Sequence, residues 1–534
     1  MRREASGAAA AVLLALVVGA FRFLSIAGLS NDHYMHLAAG QQIAFGEWPS
    51  RDYVELGLPL MEGLSAIPFL VLPDAPLLGE AVLVAVMFGL AAAFTLFAAQ
   101  RLTDSWWIAF LVVFLEIVIF PRTYSYPKVL AYALGFLSMW RYVERPSRVV
   151  ELAIAVALAF GLRHDHGFYL GAGAVLTVIV VSRPEGWRVV TRRTGAFIGI
   201  VLLFLAPYII YTSIYDGLWR HIMRGVELLS IESSRGRRLP VFTWSSNLLA
   251  ANAVPWLYFL FHLLPIVAVA VVWRRWRHGS ELRERAMVAP LIVVAVLVNA
   301  GLIRDTLSAR LPDAVVPAAL LLGWLMAGAY RVRPSRRAAA AWLTCTMIAA
   351  ITVASAASVG ETKSQLEKAE MLGTPARLWR HVHTRVAEFQ ERLPLGQIPS
   401  RIAWQLLPFF KYADRCLAPT DHILTPGFAP EVAVWARRPF AGGQVWFQVG
   451  VLAGEEDQRY VMSRLGEQRV PVAILVAPSS EKIMTHFDGF RRYIRDQFTA
   501  VTPLEGDGDA IAEIAFNPSL AIGRDRETGW PCYR

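Results

Sequence analysis

The chain has 534 residues, of which 55% are hydrophobic and only 18% are charged. This balance excludes an ordinary soluble protein and favours a polytopic membrane protein. The formal net charge of +10 does not indicate a nucleic-acid partner, because no basic face with interleaved aromatic residues is present. Most of the arginines instead lie in short loops between apolar segments, which is typical of cytoplasmic loops. These loops are "WRYVERPSR", "SRPEGWRVVTRR", "WRRWRHGSELRER" and "YRVRPSRR".

Eleven apolar segments predict membrane-spanning helices, because lipid offers no partner for an unpaired backbone group. The predicted spans are 8–29, 76–99, 106–120, 129–142, 149–162, 168–182, 195–214, 254–273, 287–303, 312–330 and 338–358. The first has the basic start of a signal peptide, but its length favours an uncleaved span. The segment 57–73 is short, is interrupted by Gly and Pro and carries Glu62, so it is predicted to be re-entrant or interfacial.

Eleven spans with a cytoplasmic N-terminus leave all four arginine-rich loops inside, in agreement with the positive-inside rule. The expected location is a bacterial-type cytoplasmic membrane. The segments predicted to lie outside are 30–59, 120–128, 163–167, 215–252, 304–310 and everything after 360. The arginines of segment 215–252 run against the rule and suggest a local anionic partner there, unless that loop is simply solvated.

The hydropathy falls after residue 360, which predicts two domains: a membrane module over 1–358 and a soluble extracytoplasmic domain over 359–534. In the second domain the segments "HILTPG", "VAVWA", "VPVAILVAP" and "DAIAEIAFNP" are predicted strands. Helical patterns lie around and between them, which indicates a small α/β domain. Cys416 and Cys532 can form a disulfide if this domain lies in an oxidising compartment, although their spacing does not require one.

The outer segment "SNDHYMHLAAGQQIAFGEWPSRDY" begins directly after the first span. Asp32 lies at this membrane boundary, where a partly desolvated carboxylate can act as a general base towards a hydroxyl. An interfacial acid or a helix cap is the alternative. Leu37, Ile43 and Phe45 form an apolar side of a helix that can lie flat in the interface, and a Gly-x-x-Pro turn then leads to a second acid, Asp52.

Two further outer segments carry cations that can bind an anion. In "LRHDHGFY", Arg163 can hold a phosphate through its fork of donors, and His164, Asp165 and His166 can orient it or bind a metal. A solvated turn between two helices is the alternative. In "FPRTYSYPK", Arg122 and Lys128 can line an anion site or simply anchor the chain at the interface. Arg304, close to Asp305 and Arg310, is a further candidate for a lipid phosphate.

The apolar segments contain the single charges Arg22, Glu80 and Glu116, for which structural pairing between helices is predicted.

The order of these features along the chain resembles a known organisation. The features are the acid after the first span, the segment through "FGEWPSRDY", the proline-led apolar stretch, the outer "RHDHG" and the soluble C-terminal domain. This organisation is that of the GT-C type of polyprenyl-phosphate-dependent membrane glycosyltransferases, such as protein O-mannosyltransferases, lipid A aminoarabinose transferases and oligosaccharyltransferases. The resemblance implies transfer of a sugar from a polyprenyl-phosphate donor to a glycan, lipid or protein acceptor on the outer face of the membrane.

The same resemblance implies that Asp32 is the catalytic base of an inverting transfer. Arg163, His164 and His166 are then the first candidates for the donor phosphate, followed by Arg122, Lys128 and Arg304. Many relatives carry adjacent acids or Asp-x-Asp in the first outer loop, whereas this chain has Asn31 before Asp32 and no acid in "FPRTYSYPK". Transfer without an obligatory cofactor or metal ion is therefore expected, with Mg²⁺ or Mn²⁺ left as an alternative.

Two other classes of function remain as rivals. A transporter or flippase of lipid-linked saccharides is expected to have pseudo-symmetric halves with broken spans at matching positions, and no such repeat is visible. A non-catalytic scaffold with a sugar-binding domain does not account for the outer acids.

Overall fold

The structure is a computed structural model that describes residues 2–234, 239–277, 281–304, 308–331, 336–391, 401–451, 454–503 and 512–534. Helices dominate the described chain. Helices α1 to α23 are, in order, Arg2–Ser25, Asn31–Ala44, Pro59–Val71, Pro76–Thr103, Trp106–Val118, Tyr126–Glu144, Val149–Leu162, His164–Ser182, Trp187–Tyr215, Leu218–Ser234, Leu248–Ala251, Ala253–Arg277, Leu282–Arg304, Val315–Tyr330, Arg336–Val359, Thr362–Ala369, Pro375–Gln390, Arg401–Gln405, Leu407–Cys416, Glu431–Ala436, Glu455–Glu467, Ser479–His486 and Asp488–Gln497.

The chain forms two compact units. Unit 1 consists of Met1–Ile26, Ala81–Ile209 and Glu232–His383, and unit 2 consists of Ala27–Glu80, Ile210–Ile231 and Thr384–Arg534. The segment 30–59 that follows α1 thus belongs to the same unit as the C-terminal region. The boundary between domains after residue 358 stays a prediction from the sequence.

Eight helices of the described chain are long and apolar enough to cross a membrane. They are Gly7–Ser25, Pro76–Thr103, His164–Glu185, Trp187–Tyr215, Ala253–Arg277, Leu282–Ile303, Ser308–Tyr330 and Ala339–Val359. The polytopic helical membrane fold is therefore confirmed. The other three predicted spans coincide with α5, α6 and α7, which have 13, 19 and 14 residues and are not among the eight. The count of eleven stays a prediction.

Unit 1 is a packed bundle in which α8 lies against α6, α7 and α13. Its core consists of aliphatic and aromatic side chains, including the fully buried Trp140, Phe136 and Tyr132 of α6. The predicted intramembrane cation Arg22 is also buried here, with its guanidinium 3.9 Å from the ring centroids of both Phe88 and Phe120. Aromatic faces thus provide part of the stabilisation that this charge lacks in an apolar environment.

The C-terminal part of unit 2 contains a four-stranded sheet in the order β1-β2-β4-β3. The strands are Ile423–Leu424 (β1), Val472–Val476 (β2), Ala500–Pro503 (β3) and Ala512–Phe516 (β4). Strand β1 pairs with β2 in parallel, and the other pairs are antiparallel. Two short strands, Gly523–Arg524 (β5) and Pro531–Cys532 (β6), form a separate pair. Helices α21, α22 and α23 accompany the sheet, as an α/β arrangement requires.

One strand prediction in this region is wrong. The segment "VAVWA" is not a strand but lies in helix α20, Glu431–Ala436, and all six of its residues are buried. A short apolar stretch that is buried on every side has no polar face to reveal its period, so helix and strand are indistinguishable in the sequence. Cys416 and Cys532 form a disulfide with a Cα–Cα distance of 4.6 Å. The bond links the end of α19 to β6.

Candidate active site

Asp32 lies in the first turn of helix α2, which begins six residues after the end of α1 at Ser25. Ser30 occupies the N-cap position, so Asp32 is not the helix cap. Its side chain is exposed. A carboxylate in the first turn is favoured by the partial positive charge of the helix N-terminus. Asp32 is therefore an accessible carboxylate at the start of a largely buried helix.

The residues that follow Asp32 fix α2 inside unit 2. His33 and His36 are one turn apart and buried, and they face the fully buried carboxylate of Glu80 at the start of α4. The Nε2 of His33 lies 2.9 Å from Oε1 of Glu80, and Nδ1 of His36 lies 2.7 Å from the hydroxyl oxygen of Ser65 in α3. Burial lowers the pKa of His33 to about 3. Both rings therefore belong to a polar cluster in the interior.

The other end of α2 is attached to the C-terminal region of the same unit. The side-chain amide of Gln41 donates to the carbonyl oxygens of Ala433 and Arg438, both at 3.0 Å. Gln42 accepts from the backbone N–H of Phe440 at 3.1 Å. Hydrogen bonds to buried backbone groups are costly to break, so α2 is held at both ends. The predicted helix is thus present, and it is packed on α3 and α20.

Asp52, the possible second acid, lies in the turn after α2. Its Oδ2 accepts from the backbone N–H of Trp48 at 2.7 Å and pairs with Arg51, and Arg464 of α21 lies 3.9 Å from Oδ1. The preceding Gly46 has φ of +90°, a conformation that L side chains rarely adopt, and this permits the predicted turn. Among the described residues, no hydrogen bond or ion pair joins Asp52 to Asp32.

Unit 1 contains a cluster of charged residues at the turn between α7 and α8. Arg163 donates from Nε to Oδ1 of Asp165 at 2.8 Å, and the same oxygen accepts from the backbone N–H of His166 at 2.9 Å. The ring of His166 is buried, and its Nδ1 hydrogen-bonds the hydroxyl of Tyr132. The turn is tight, because a Cβ at Gly167 would lie 2.5 Å from Cα of Phe160. Gly167 is thus required for this placement.

A second cation belongs to the same cluster. Lys128 lies at the start of α6 and is 5% exposed, and its Nζ is 2.5 Å from Oδ2 of Asp313. The hydroxyl of Ser125 donates to the other oxygen of Asp313 at 3.0 Å. Lys128 also interacts electrostatically with Arg163 and Asp165. Two of the predicted phosphate-binding cations are therefore brought together, each held by a carboxylate.

The remaining candidates are placed differently. Arg122 lies before α6 and approaches the hydroxyl of Tyr124 at 3.5 Å. His164 and His166 are two residues apart in a helix, so their rings point to different sides, and the ring centroid of His164 lies 5.4 Å from that of Tyr208. The helical spacing therefore does not favour the alternative in which these two rings bind one metal ion. Arg304 ends α13, but its side chain lies outside the described residues, as do Asp305 and the arginines at 235, 237 and 238.

A buried ion network in unit 2 was not predicted from the sequence. Arg224 of α10 donates to Oδ1 of Asp216 at 2.7 Å and to Oδ1 of Asp457 in α21 at 2.9 Å. Arg220 adds an ion pair to the same Asp216 at 3.0 Å. Burial raises the pKa of Asp216, but a hydrogen bond from His221 and the charges of Arg224 and Arg220 outweigh it and leave the pKa below its usual value.

Sequence reasoning also missed two other groups, namely Asp313 as the partner of Lys128 and the cluster of His33, His36 and Glu80. A signal was available for the histidines, because residues three apart in a predicted helix lie on the same face. For Asp313 there was none, because its partner is 185 positions away.

Comparisons with known proteins give structural neighbours only. No family model matches the chain, and no curated protein matches its sequence. Among solved structures, it is similar to ArnT from Cupriavidus metallidurans bound to undecaprenyl phosphate, with 12% identity, a TM-score of 0.47 and coverage of 95% of this chain and 97% of ArnT. It is also similar to the oligosaccharyltransferase AglB from Archaeoglobus fulgidus in complex with an inhibitory peptide and a dolichol-phosphate, with 13% identity, a TM-score of 0.46 and coverage of 95% and 74%.

These neighbours are an aminoarabinose transferase and an oligosaccharyltransferase. Both enzyme groups are among those that the sequence resembles in its organisation. At these identities and TM-scores the likeness assigns no activity to the chain.

Proposed function

We propose that this protein is a membrane glycosyltransferase that moves a sugar from a polyprenyl-phosphate donor to an acceptor hydroxyl, with inversion at the anomeric carbon. The observation that carries the proposal is Asp32, an exposed carboxylate at the start of a buried helix that follows the first span. A general base must reach the acceptor hydroxyl, and helix α2, which carries Asp32, is held in place by the hydrogen bonds of Gln41 and Gln42. The sequence resemblance to GT-C enzymes adds the class of donor.

In the proposed reaction the carboxylate of Asp32 accepts the proton of the acceptor hydroxyl. The acceptor oxygen forms a bond to the anomeric carbon from the face opposite the phosphate. The bond between that carbon and the phosphate oxygen breaks, and the phosphate leaves with the electron pair. This step inverts the configuration of the sugar.

The leaving phosphate gains negative charge, which fixed cations and hydrogen-bond donors stabilise. In the proposal the cluster around Arg163, Lys128 and His166 supplies them, with Arg122, His164 and Arg304 as further donors. Asp165 and Asp313 hold Arg163 and Lys128 in place, so little side-chain freedom is lost when a phosphate binds. The transfer step itself is proposed to need no exchangeable divalent ion.

The reaction is proposed to take place on the extracytoplasmic side of a cytoplasmic membrane. The support is the disulfide between Cys416 and Cys532, because such bonds persist in oxidising compartments. Cysteine labelling tests this in a Cys345→Ser background. Cysteines at Asp32 and Arg163 are expected to react with an impermeant reagent added to intact cells, and a cysteine at Glu281 is expected to be protected. The reverse pattern contradicts the proposed sidedness.

The activity is tested in proteoliposomes with undecaprenyl phosphate that carries a radiolabelled sugar. Transfer of the sugar to an acceptor or to water is expected for the natural chain and is expected to be lost in Asp32→Asn. Asp74→Asn is the matched control, because Asp74 is an exposed carboxylate of the same unit. Full turnover in Asp32→Asn contradicts the proposal, and movement of intact donor across the bilayer without cleavage supports a flippase instead. Activity that EDTA abolishes and Mg²⁺ or Mn²⁺ restores contradicts a metal-free transfer step.

A further inference from the structure

Three polar side chains of unit 2 converge in the interior from two helices. They are His33 and His36 of α2 and Glu80 of α4, and one nitrogen or oxygen atom from each lies within 4.8 Å of the others. Their exposures are 0%, 3% and 0%. The hydroxyl of Ser65 in α3 completes the group, 3.2 Å from Oε1 of Glu80. The cluster therefore contains two imidazoles, a carboxylate and a hydroxyl around one point.

Hydrogen bonds within the cluster do not satisfy all of its atoms. Among the described residues, Oε2 of Glu80 is buried without a hydrogen-bond partner. A buried carboxylate oxygen in this state is costly, because it has lost its water and gained nothing in return. Such a cost is expected at a site that a further ligand completes.

We propose that His33, His36 and Glu80 bind a divalent transition-metal ion, with Zn²⁺ as the best match. Zinc takes imidazole nitrogen and carboxylate oxygen ligands at about 2.0–2.2 Å in tetrahedral geometry, which separates neighbouring ligand atoms by about 3.4 Å. Here Oε1 of Glu80 lies 2.9 Å from Nε2 of His33 and 3.9 Å from Nδ1 of His36. Small side-chain movements bring both distances to this value.

The ligand set distinguishes a transition metal from Mg²⁺ and Ca²⁺. Mg²⁺ and Ca²⁺ prefer six or more oxygen ligands, whereas two imidazoles with one carboxylate are typical of zinc and of iron(II). The ligands are all buried, so in this proposal the ion stabilises the interior of unit 2. The hydroxyl of Ser65 lies beside two of the ligand atoms, 2.7 Å from Nδ1 of His36 and 3.2 Å from Oε1 of Glu80.

The consequence for the fold is a link between three helices. The metal joins α2 to α4, and the hydrogen bonds of Ser65 attach α3 to the same cluster. One of the proposed ligands, His33, directly follows Asp32 in the chain. This inference does not depend on the proposed glycosyl transfer, because an ion is bound at this site whether or not Asp32 is a base.

The test uses full-length protein purified in detergent with an affinity tag that contains no histidine. After incubation with Zn²⁺ and removal of excess ion, the natural chain is expected to retain about one zinc ion per molecule, measured by mass spectrometry of the metal. Glu80→Gln and His36→Gln are expected to retain substoichiometric zinc. His262→Gln is the matched control, because His262 is a partly buried histidine of α12 outside the cluster. Zinc is expected to raise the Tm of the natural chain and of this control, but not of the two ligand variants.

A measurement on the natural chain keeps the inference testable if a variant fails to fold. X-ray absorption at the zinc edge is expected to show a first shell of nitrogen and oxygen at about 2.0 Å with the scattering of about two imidazole rings. Absence of retained zinc in the natural chain overturns the inference. Retention of the same amount by folded Glu80→Gln and His36→Gln, or a spectrum without imidazole scattering, overturns it as well.

Discussion

Arg224 and Asp457 form a buried ion pair between α10 and α21, with 2.9 Å between Nη2 of the arginine and Oδ1 of the aspartate although 233 positions separate them in the chain. Their side chains are 6% and 11% exposed. The same guanidinium also binds Asp216. One cation thus connects the segment that precedes α10 with a helix of the C-terminal α/β region, all within unit 2.

Removal of this cation is expected to destabilise unit 2 strongly. Arg224→Ala leaves Asp216 and Asp457 without their shared cation in a buried environment, and loss of one partner of such a pair costs about 3–5 kcal/mol. The measurement is the thermal unfolding of the purified protein. Arg459→Ala is the control, because Arg459 pairs with Glu455 on the surface of α21 and such pairs contribute less than about 1 kcal/mol. Equal effects of the two variants contradict a structural role for the network.

Acid is expected to weaken the same network. The folded-state pKa of Asp216 lies below its usual value, so its contribution to stability is present above the unfolded-state pKa. The contribution is lost as the pH falls through the lower folded-state pKa. The Tm of the natural chain is therefore expected to decrease between about pH 5 and pH 3 more steeply than that of Asp216→Asn, which has no carboxylate to protonate at this position. Parallel curves for the two proteins disprove the linkage.

Arg163 is expected to contribute to transfer by stabilising the charge of the donor phosphate as it leaves. A charge-assisted hydrogen bond to phosphate is worth about 1.5–3 kcal/mol, so Arg163→Gln should lower kcat/KM for a polyprenyl-phosphate sugar by about ten- to a hundredfold. Arg183→Gln is the matched control, because Arg183 lies at the opposite end of α8 against the ring of Trp187. An unchanged kcat/KM in Arg163→Gln removes the phosphate-binding role from this residue.

The disulfide is expected to be a major source of stability. It joins residues 116 positions apart, and closure of a loop of about 100 residues contributes up to about 4.7 kcal/mol by constraining the unfolded chain. Cys532→Ser is expected to lower the Tm by many degrees, and Cys345→Ser, which removes the free cysteine of α15, should have little effect. Denatured, unreduced protein should react with one equivalent of maleimide. Three equivalents contradict the bond.

The sequence alone determined the class of the fold. Runs of apolar residues of membrane length predict spanning helices, because a backbone in lipid must satisfy its own hydrogen bonds. Alternation of strand and helix patterns after residue 360 similarly predicted the C-terminal α/β region. The helix after the first span, with Asp32 at its start and a turn at Gly46, could also be recognised from local pattern and turn chemistry.

Only the tertiary structure decided which charged and polar side chains pair with each other. Lys128 meets Asp313, Arg224 meets Asp457 and His33 meets Glu80. The sequence offers no local signal for these pairs, because they form between elements whose positions are set by packing of whole helices. The segment "VAVWA" was misjudged for the same reason, since complete burial erases the polar face that reveals a helical period. Local periodicity thus determines which elements form, and long-range packing determines which side chains meet.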